Sequence, residues 1–144
     1  MVTKVSTFPK RLLIDADALV SHANSRDSGY KWAKKWSQLL LETSCLVYLS
    51  NFAFGEALTV ISMRLGIEQA MMVAESMRQS DMIIVDIGKR QRKRALTWFA
   101  KQNTKNARFT DCVNMALMEE LGIEYVFSRD RHYKKNGFRR LGID

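Results

Sequence analysis

Short apolar runs of strand length alternate along this chain with longer segments of helical periodicity. Four such runs are present, at residues 12–14, 46–49, 82–85 and 125–127, and a further edge strand is predicted near residues 138–141. Strands that alternate with helices predict parallel βαβ units with right-handed crossovers. We therefore predict an α/β fold with three layers, α/β/α, around a central and mainly parallel sheet. With 144 residues and no linker or low-complexity tract, the chain is predicted to be a single domain spanning residues 1–144.

Acidic residues recur where these predicted strands and helices begin or end. They are Asp15 after the first run, Glu56 in the helix after the second, Asp111 at the start of a later helix and Asp130 after the last run. The carboxyl ends of parallel strands form one crevice, and residues placed in this way can converge there. We therefore expect the four side chains to lie close together.

Taken singly, most of these acids also have an ordinary structural explanation. Asp15 would cap the helix that follows it, Asp111 would favour the helix dipole, and Asp130 would be a turn residue. Glu56 lies too far into its helix to cap it and has apolar neighbours, so its charge requires a partner or an ion. For Asp17, two residues after Asp15, helix capping is the preferred interpretation.

A cluster of four carboxylates favours a metal site. Clustered carboxylates repel one another, and each resists ionisation unless a cation lies among them. Mg²⁺ takes oxygen ligands and is often held by few carboxylates. The order and spacing of the acids therefore predict a site for Mg²⁺ (or Mn²⁺), and hence a metal-dependent hydrolase. Either one ion or two would suit such a site.

The chain is strongly basic, with a formal net charge of +8 and a pI near 9.7. This charge favours a polyanionic partner, and nucleic acid first. One basic run, residues 89–94, is interpreted as a solvated helix face, an RNA-phosphate surface or a contact for an acidic partner. A second basic group flanks Asp130 and would hold a polyanion against repulsion from the acids. It comprises Arg129, Arg131, Lys134, Lys135, Arg139 and Arg140.

The sequence also bears on the cellular setting. Residues 1–10 are polar and lack the apolar core of a signal peptide, and no apolar run approaches the length that spans a bilayer. Cys45 and Cys112 show no disulfide or metal-binding pattern and are predicted to be small buried hydrophobes. We therefore predict a cytoplasmic protein that does not associate with a membrane.

Taken together, these segments resemble the PIN-domain ribonucleases, the fold used by VapC-type toxins of prokaryotic toxin–antitoxin pairs. The resemblance runs from the opening strand with Asp15 through the helix with Glu56. It continues through Thr-Asp-Cys at Asp111 to Phe-Ser-Arg-Asp-Arg-His-Tyr around Asp130, and so covers nearly the whole chain. It implies that the four acids are the metal-binding and catalytic quartet of an endoribonuclease, in which metal-activated water attacks the RNA phosphodiester. It also implies a homodimer that lines up two acidic grooves, and an antitoxin whose tail fills them.

Four further residues are expected to contact the substrate: Ser128, Arg129, Arg131 and His132. Ser128 stands where the family often has Thr or Ser, and is expected to orient substrate or a metal water. His132 falls where many members have a further Asp or Asn, and is expected to contact phosphate. Asn114, one turn after Asp111, either lines the site or faces outward.

Two other functions fit parts of the sequence. A non-catalytic PIN-like domain would bind RNA or serve as a scaffold, but it would have little reason to keep all four acids. A haloacid-dehalogenase-like phosphatase is suggested by Asp15-Ala16-Asp17 after a strand. That family requires an acidic pair near the last strand, where residues 128–131 supply only Asp130, and it leaves Glu56 unexplained.

Overall fold

The computed structural model of the protein describes residues 8–144. In that range the chain forms five strands and seven helices. In chain order these are β1 (Arg11–Ile14), α1 (Ala16–Ala23), α2 (Tyr30–Leu41), β2 (Leu46–Ser50), α3 (Asn51–Leu65), α4 (Ile67–Gln79), β3 (Ile83–Val85), α5 (Lys89–Ala100), α6 (Phe109–Leu121), β4 (Tyr125–Phe127), α7 (Arg131–Lys135) and β5 (Arg139–Arg140).

The strands form one sheet in the order β3-β2-β1-β4-β5. Every neighbouring pair within residues 8–144 is parallel, which confirms the predicted mainly parallel sheet. In the centre, Leu12 of β1 lies opposite Val47 of β2, and Leu13 lies opposite Val126 of β4. The chain leaves β1 towards β2 on one side and returns to β4 on the other. The carboxyl ends of β1 and β4 therefore flank the switch point, where open α/β sheets bind ligands.

The sheet is covered on both faces because successive side chains of a strand point in opposite directions. Leu12 and Ile14 belong to one buried cluster, together with side chains of α1, α2, α3 and α4. Leu13 belongs to the other, together with side chains of α5 and α6. A strand that is buried on both faces needs apolar residues on both, which is why the three buried residues of β1, at positions 12–14, are all apolar and do not alternate with polar ones. These two clusters confirm the predicted three-layer α/β/α architecture.

The helix termini agree with the sequence in part. Of Ser50 and Asn51, both residue types that favour an N-cap, Ser50 caps α3, and the C-cap of α3 is Gly66, which has a positive φ of 94° that disfavours other residues. Two caps that the sequence favours, Asp17 for α1 and Thr110 for α6 (a residue type that is common at N-caps), are wrong. Asp15, rather than Asp17, occupies the N-cap position of α1, and α6 begins one residue before Thr110, which therefore lies in its first turn.

Within residues 8–144, none of the helices combines the length and the apolar character that crossing a bilayer would require. Residues 1–10, for which the sequence predicts no signal peptide, lie mostly outside the described range. Of the two cysteines, Cys112 is buried as predicted and Cys45 is partly exposed, and both are free thiols.

Candidate metal centre

The structure brings all four predicted acids to the carboxyl end of the sheet. Asp15 follows β1 and caps α1, Asp111 lies in the first turn of α6, and Asp130 caps α7. Glu56 lies in the second turn of α3, the helix that follows β2. The charges of the other three acids all raise the pKa of Asp111, so the four carboxylates form one electrostatic cluster.

Asp15 is buried and accepts three hydrogen bonds. Its Oδ1 accepts from the backbone N of Ala16 at 2.7 Å and from Asn114 Nδ2 at 3.1 Å, and its Oδ2 accepts from the Tyr133 hydroxyl at 2.7 Å. Burial, and next the charge of Asp17, nevertheless raise the pKa of Asp15 from 3.8 to about 7. The hydrogen bonds therefore offset only part of the desolvation of this carboxylate.

Asp111 is the most perturbed carboxyl group of the cluster. Burial, followed by the charges of Asp15 and Asp130, raises the pKa of Asp111 from 3.8 to about 8. Its Oδ2 is buried and has no hydrogen-bond partner among residues 8–144. A buried carboxylate oxygen without a donor is unfavourable, and a cation bound there would satisfy it.

Asp130 and His132 form a compact pair at the start of α7. Asp130 Oδ1 accepts from the His132 backbone N at 2.9 Å and lies 2.7 Å from His132 Nδ1. The Ser128 hydroxyl accepts from the Asp130 backbone N at 3.0 Å, while Thr104 Oγ1 lies 3.0 Å from His132 Nε2. Asp111, Asp130 and His132 each offer one ligand atom, and these atoms all lie within 4.8 Å of one another.

The charge of Glu56, which has apolar neighbours in the sequence, is paired with the guanidinium of Arg108. Its Oε1 accepts from Arg108 Nη1 at 2.9 Å, and its side chain is 28% exposed. Its charge raises the pKa of both Asp15 and Asp111, which places it at the rim of the same cluster.

The residues predicted to bind substrate have different surroundings. Ser128 is fully buried, and its hydroxyl supports the turn that carries Asp130. The Arg129 guanidinium lies 3.2 Å from Ser28 Oγ and 5.8 Å from the centre of the Trp32 ring, so it is engaged within the fold. Arg131 is exposed at the start of α7.

Several of the basic residues form ion pairs within residues 8–144. In the run 89–94, Arg90 pairs with Glu120 and Arg94 pairs with Glu119 on α6. In the second basic group, Arg140 pairs with Asp144 at 2.8 Å. The two pairs of the run 89–94 join α5 to α6 on an exposed surface, where each is worth little, whereas both side chains of the Arg140–Asp144 pair are largely buried.

Sequence reasoning missed the contacts of Tyr133 and Asp17 in the site, and of the two alternatives for Asn114 the one that lines the site is correct. Tyr133 was not singled out, although its hydroxyl contacts Asp15. Asn114 is fully buried and lines the site, and the available signal was a polar residue within the apolar stretch 112–118. Asp17 accepts from the Arg129 backbone N at 2.8 Å, and its buried Oδ1 has no partner among the described residues.

These observations fit a divalent cation. The carboxylate oxygens are the ligand type that Mg²⁺ and Mn²⁺ take. The pKa values of Asp15 and Asp111 are raised by burial and next by the charge of a neighbouring carboxylate, and both groups would regain their ionised form beside a cation. Asp111, Asp130 and His132 present the ligand atoms that lie within 4.8 Å of one another, and the charges of Asp15 and Glu56 act on Asp111 beside them.

Curated proteins and solved structures with the same organisation are known. The 23S rRNA-specific endonuclease VapC20 from two strains of Mycobacterium tuberculosis is 23% identical over 128 residues, which cover 88% of this chain and 95% of the relative. Its crystal structure, described as that of a Sarcin-Ricin loop cleaving toxin, superposes with a TM-score of 0.79 at 20% identity, covering 88% of this chain and 95% of that one.

Two further solved structures share the fold at lower identity. VapBC2 from Rickettsia felis, bound to a DNA fragment from their promoter, gives a TM-score of 0.65 at 12% identity and covers 90% of this chain and 96% of that one. FitAcB from Neisseria gonorrhoeae gives 0.55 at 17% identity, covering 90% and 95% of the two chains. The sequence profile of the PIN domain matches residues 12–139, which include all four acids of the cluster. The chain therefore belongs to the PIN domain family.

Proposed function

We propose that this chain is a metal-dependent endoribonuclease that hydrolyses RNA phosphodiester bonds. Asp15, Glu56, Asp111 and Asp130 would be its catalytic residues and would hold Mg²⁺ or Mn²⁺. The observation that carries this proposal is the convergence of four carboxylates from four separate elements, with the pKa of Asp15 raised to about 7 and that of Asp111 to about 8. The burial and the repulsion that raise these pKa values are unfavourable in the protein alone, and a bound cation would offset both.

A divalent cation in this site would lower the pKa of water, orient the phosphodiester and stabilise developing charge. The chain's own residues supply the frame for that chemistry. Ser128 holds the turn of Asp130, and His132 holds the Asp130 carboxylate through its Nδ1 atom. The exposed Arg131 would reach a phosphate with its guanidinium, while Arg129 would act through its contacts with the turn before α2 and with α2 itself.

RNA is the proposed substrate because of the charge of the chain and the nature of its relatives. The net charge of +8 favours a polyanion although the site itself is acidic. The relative VapC20 is a 23S rRNA-specific endonuclease, so 23S rRNA is the first RNA to test. A scaffold without catalysis would gain nothing from a buried carboxylate oxygen, Asp111 Oδ2, that has no hydrogen-bond donor in the part of the chain that the structure describes.

The direct test is the incubation of purified protein with total RNA and with 23S rRNA. We expect cleavage with Mg²⁺ or Mn²⁺ and none with EDTA, because the carboxylates alone cannot stabilise the charge of the leaving oxygen. Gel electrophoresis and mapping of the new RNA ends measure this cleavage. Protein purified under denaturing conditions and refolded serves as a control against a copurified inhibitor. RNA binding without metal-dependent cleavage in the refolded protein would favour the scaffold.

We also propose that an antitoxin protein neutralises this chain in the cell that makes it. The proposal rests on the VapC-type resemblance and on the description of a structural neighbour as a toxin. A protein that copurifies with this chain from the native cell would be identified as its antitoxin only if adding it to the refolded chain stops RNA cleavage.

A homodimer is proposed on the same grounds, and the surface of α3 and α4 supports it. Five large apolar side chains are exposed there: Met63, Leu65, Ile67, Met71 and Met72. An apolar patch of this kind is typical of a protein interface. Light scattering during gel filtration is expected to give twice the chain mass of 16.6 kDa. A mass equal to one chain across the accessible concentration range would contradict the dimer.

A further inference from the structure

Three polar side chains form a buried hydrogen-bonded network around Asp15. Ser50, Asn114 and Tyr133 all have 0% exposure. The Ser50 hydroxyl donates to Asn114 Oδ1 at 2.9 Å, and Asn114 Nδ2 donates to Asp15 Oδ1 at 3.1 Å and to the Tyr133 hydroxyl oxygen at 2.9 Å. Tyr133 in turn donates to Asp15 Oδ2 at 2.7 Å.

The network joins the four elements that carry the four acids. Asp15 caps α1, and Ser50 caps α3, which carries Glu56. Asn114 lies one turn after Asp111 on α6, and Tyr133 lies on α7, whose N-cap is Asp130. A displacement of any one of these elements would break a hydrogen bond of the network. The spacing of the acids is therefore fixed by contacts beneath them as well as by the sheet.

The direction of these hydrogen bonds leaves one position of the Asp15 carboxylate free. A carboxylate offers about four lone-pair positions, two on each oxygen. Oδ1 accepts from Ala16 and Asn114, whereas Oδ2 accepts from Tyr133 alone among residues 8–144. A cation would thus contact Asp15 through Oδ2, which the Tyr133 hydroxyl orients.

Packing does not require this network. A phenylalanine at position 133 would fill the same buried volume without a polar atom, and an apolar residue at 114 would suit the apolar stretch around it. Buried polar groups are unfavourable unless all of them are satisfied, and a fully satisfied network fixes one geometry. The polar atoms are therefore better explained by the carboxylate that they hold than by the stability of the core.

We propose that Ser50, Asn114 and Tyr133 are positioning residues that hold the Asp15 carboxylate in the geometry that binds the divalent cation. This inference rests on the proposed function and extends it from the four acids to the residues behind them. The three residues do not touch the cation or the RNA. They act through Asp15, as hydrogen-bonding partners behind metal ligands do in other metal sites.

The test is the affinity of the folded protein for Mn²⁺ in the variant Tyr133→Phe, measured by electron paramagnetic resonance of the free ion. We expect a dissociation constant at least about 10-fold higher than in the wild type. Tyr125→Phe is the matched control, because Tyr125 lies on β4 and its hydroxyl accepts from Arg139, away from the acids. This control should bind Mn²⁺ like the wild type.

A second variant guards against a folding defect in the first. Asn114→Ser removes the amide donor, and its short hydroxyl can bond to the preceding turn of α6. We expect the same loss of Mn²⁺ affinity, together with recovery of RNA cleavage as the Mn²⁺ concentration rises. Wild-type affinity in the folded variants would overturn the inference even if their melting temperatures fell. If the wild type itself bound no Mn²⁺, that result would contradict the proposed metal site, and the inference that depends on this site would fall as well.

Discussion

Replacing Asp111 by asparagine is expected to lower the rate of RNA cleavage by roughly three orders of magnitude or more. Asparagine has nearly the same shape but lacks the negative charge, and the buried Oδ2 that has no donor among the described residues would no longer be a charged ligand. The fold should persist, because the change also removes repulsion from Asp15 and Asp130. The measurement is the single-turnover cleavage rate at saturating Mg²⁺ or Mn²⁺.

A matched substitution outside the cluster separates the loss of a ligand from the loss of any negative charge. Asp81 is exposed in the turn before β3, so Asp81→Asn changes the same chemical group far from the four acids. Its cleavage rate should equal that of the wild type. If Asp111→Asn cleaved RNA at a rate close to that of Asp81→Asn, Asp111 would have no role in catalysis.

Without divalent metal, the folded protein is expected to lose stability as the pH rises from about 6.5 to 8. The pKa values of Asp15 and Asp111 rise from 3.8 in the unfolded chain to about 7 and about 8 in the fold. Between those values the folded state keeps protons that the unfolded state has released, so raising the pH favours unfolding. Burial raises the pKa of Asp17 and adds to the effect. Below about pH 6.5, His22 opposes it, because burial lowers the pKa of its imidazole.

Calorimetry in EDTA at several pH values measures this loss, and a fall in melting temperature of roughly 5–10 °C is expected across the window. Saturating Mn²⁺ should reverse it at pH 8, because the cation binds the ionised carboxylates of the folded state only. Asp111→Asn serves as the control, with a flatter pH dependence and a higher melting temperature than the wild type in EDTA at pH 8. A wild-type melting temperature that stayed constant or rose over this range would contradict the raised pKa values.

The fold was largely predictable from the sequence because it depends on local patterns. Apolar runs marked β1, β2, β3 and β4, and the placement of the acids just after strands or at helix starts indicated their common crevice. Parallel pairing followed from the alternation of strands with helices. The strand order was not predicted, since it depends on which strands meet across the core and leaves no local pattern.

The errors lie where a distant contact overrides local preference. Thr110 is a better capping residue than Arg108, yet Arg108 occupies the N-cap position of α6 and extends its side chain to Glu56. Asp17 looks like a cap in sequence, but its carboxylate accepts from the backbone of Arg129, 112 residues away. Tyr133 lies among Arg131, His132 and lysines in what reads as a basic turn, and only the folded chain places its hydroxyl against Asp15.

The sheet order has a consequence for how the protein becomes active during its synthesis. The central strand β1 is made before its partner β4 and before Tyr133, whose hydroxyl orients Asp15, and 118 residues separate Asp15 from Tyr133. A nascent chain that carries Asp15, Glu56 and Asp111 still lacks Asp130 and the Tyr133 hydroxyl that donates to Asp15. During synthesis the site therefore stays incomplete until the segment that contains Asp130 and Tyr133 has been made and has packed against β1 and α6.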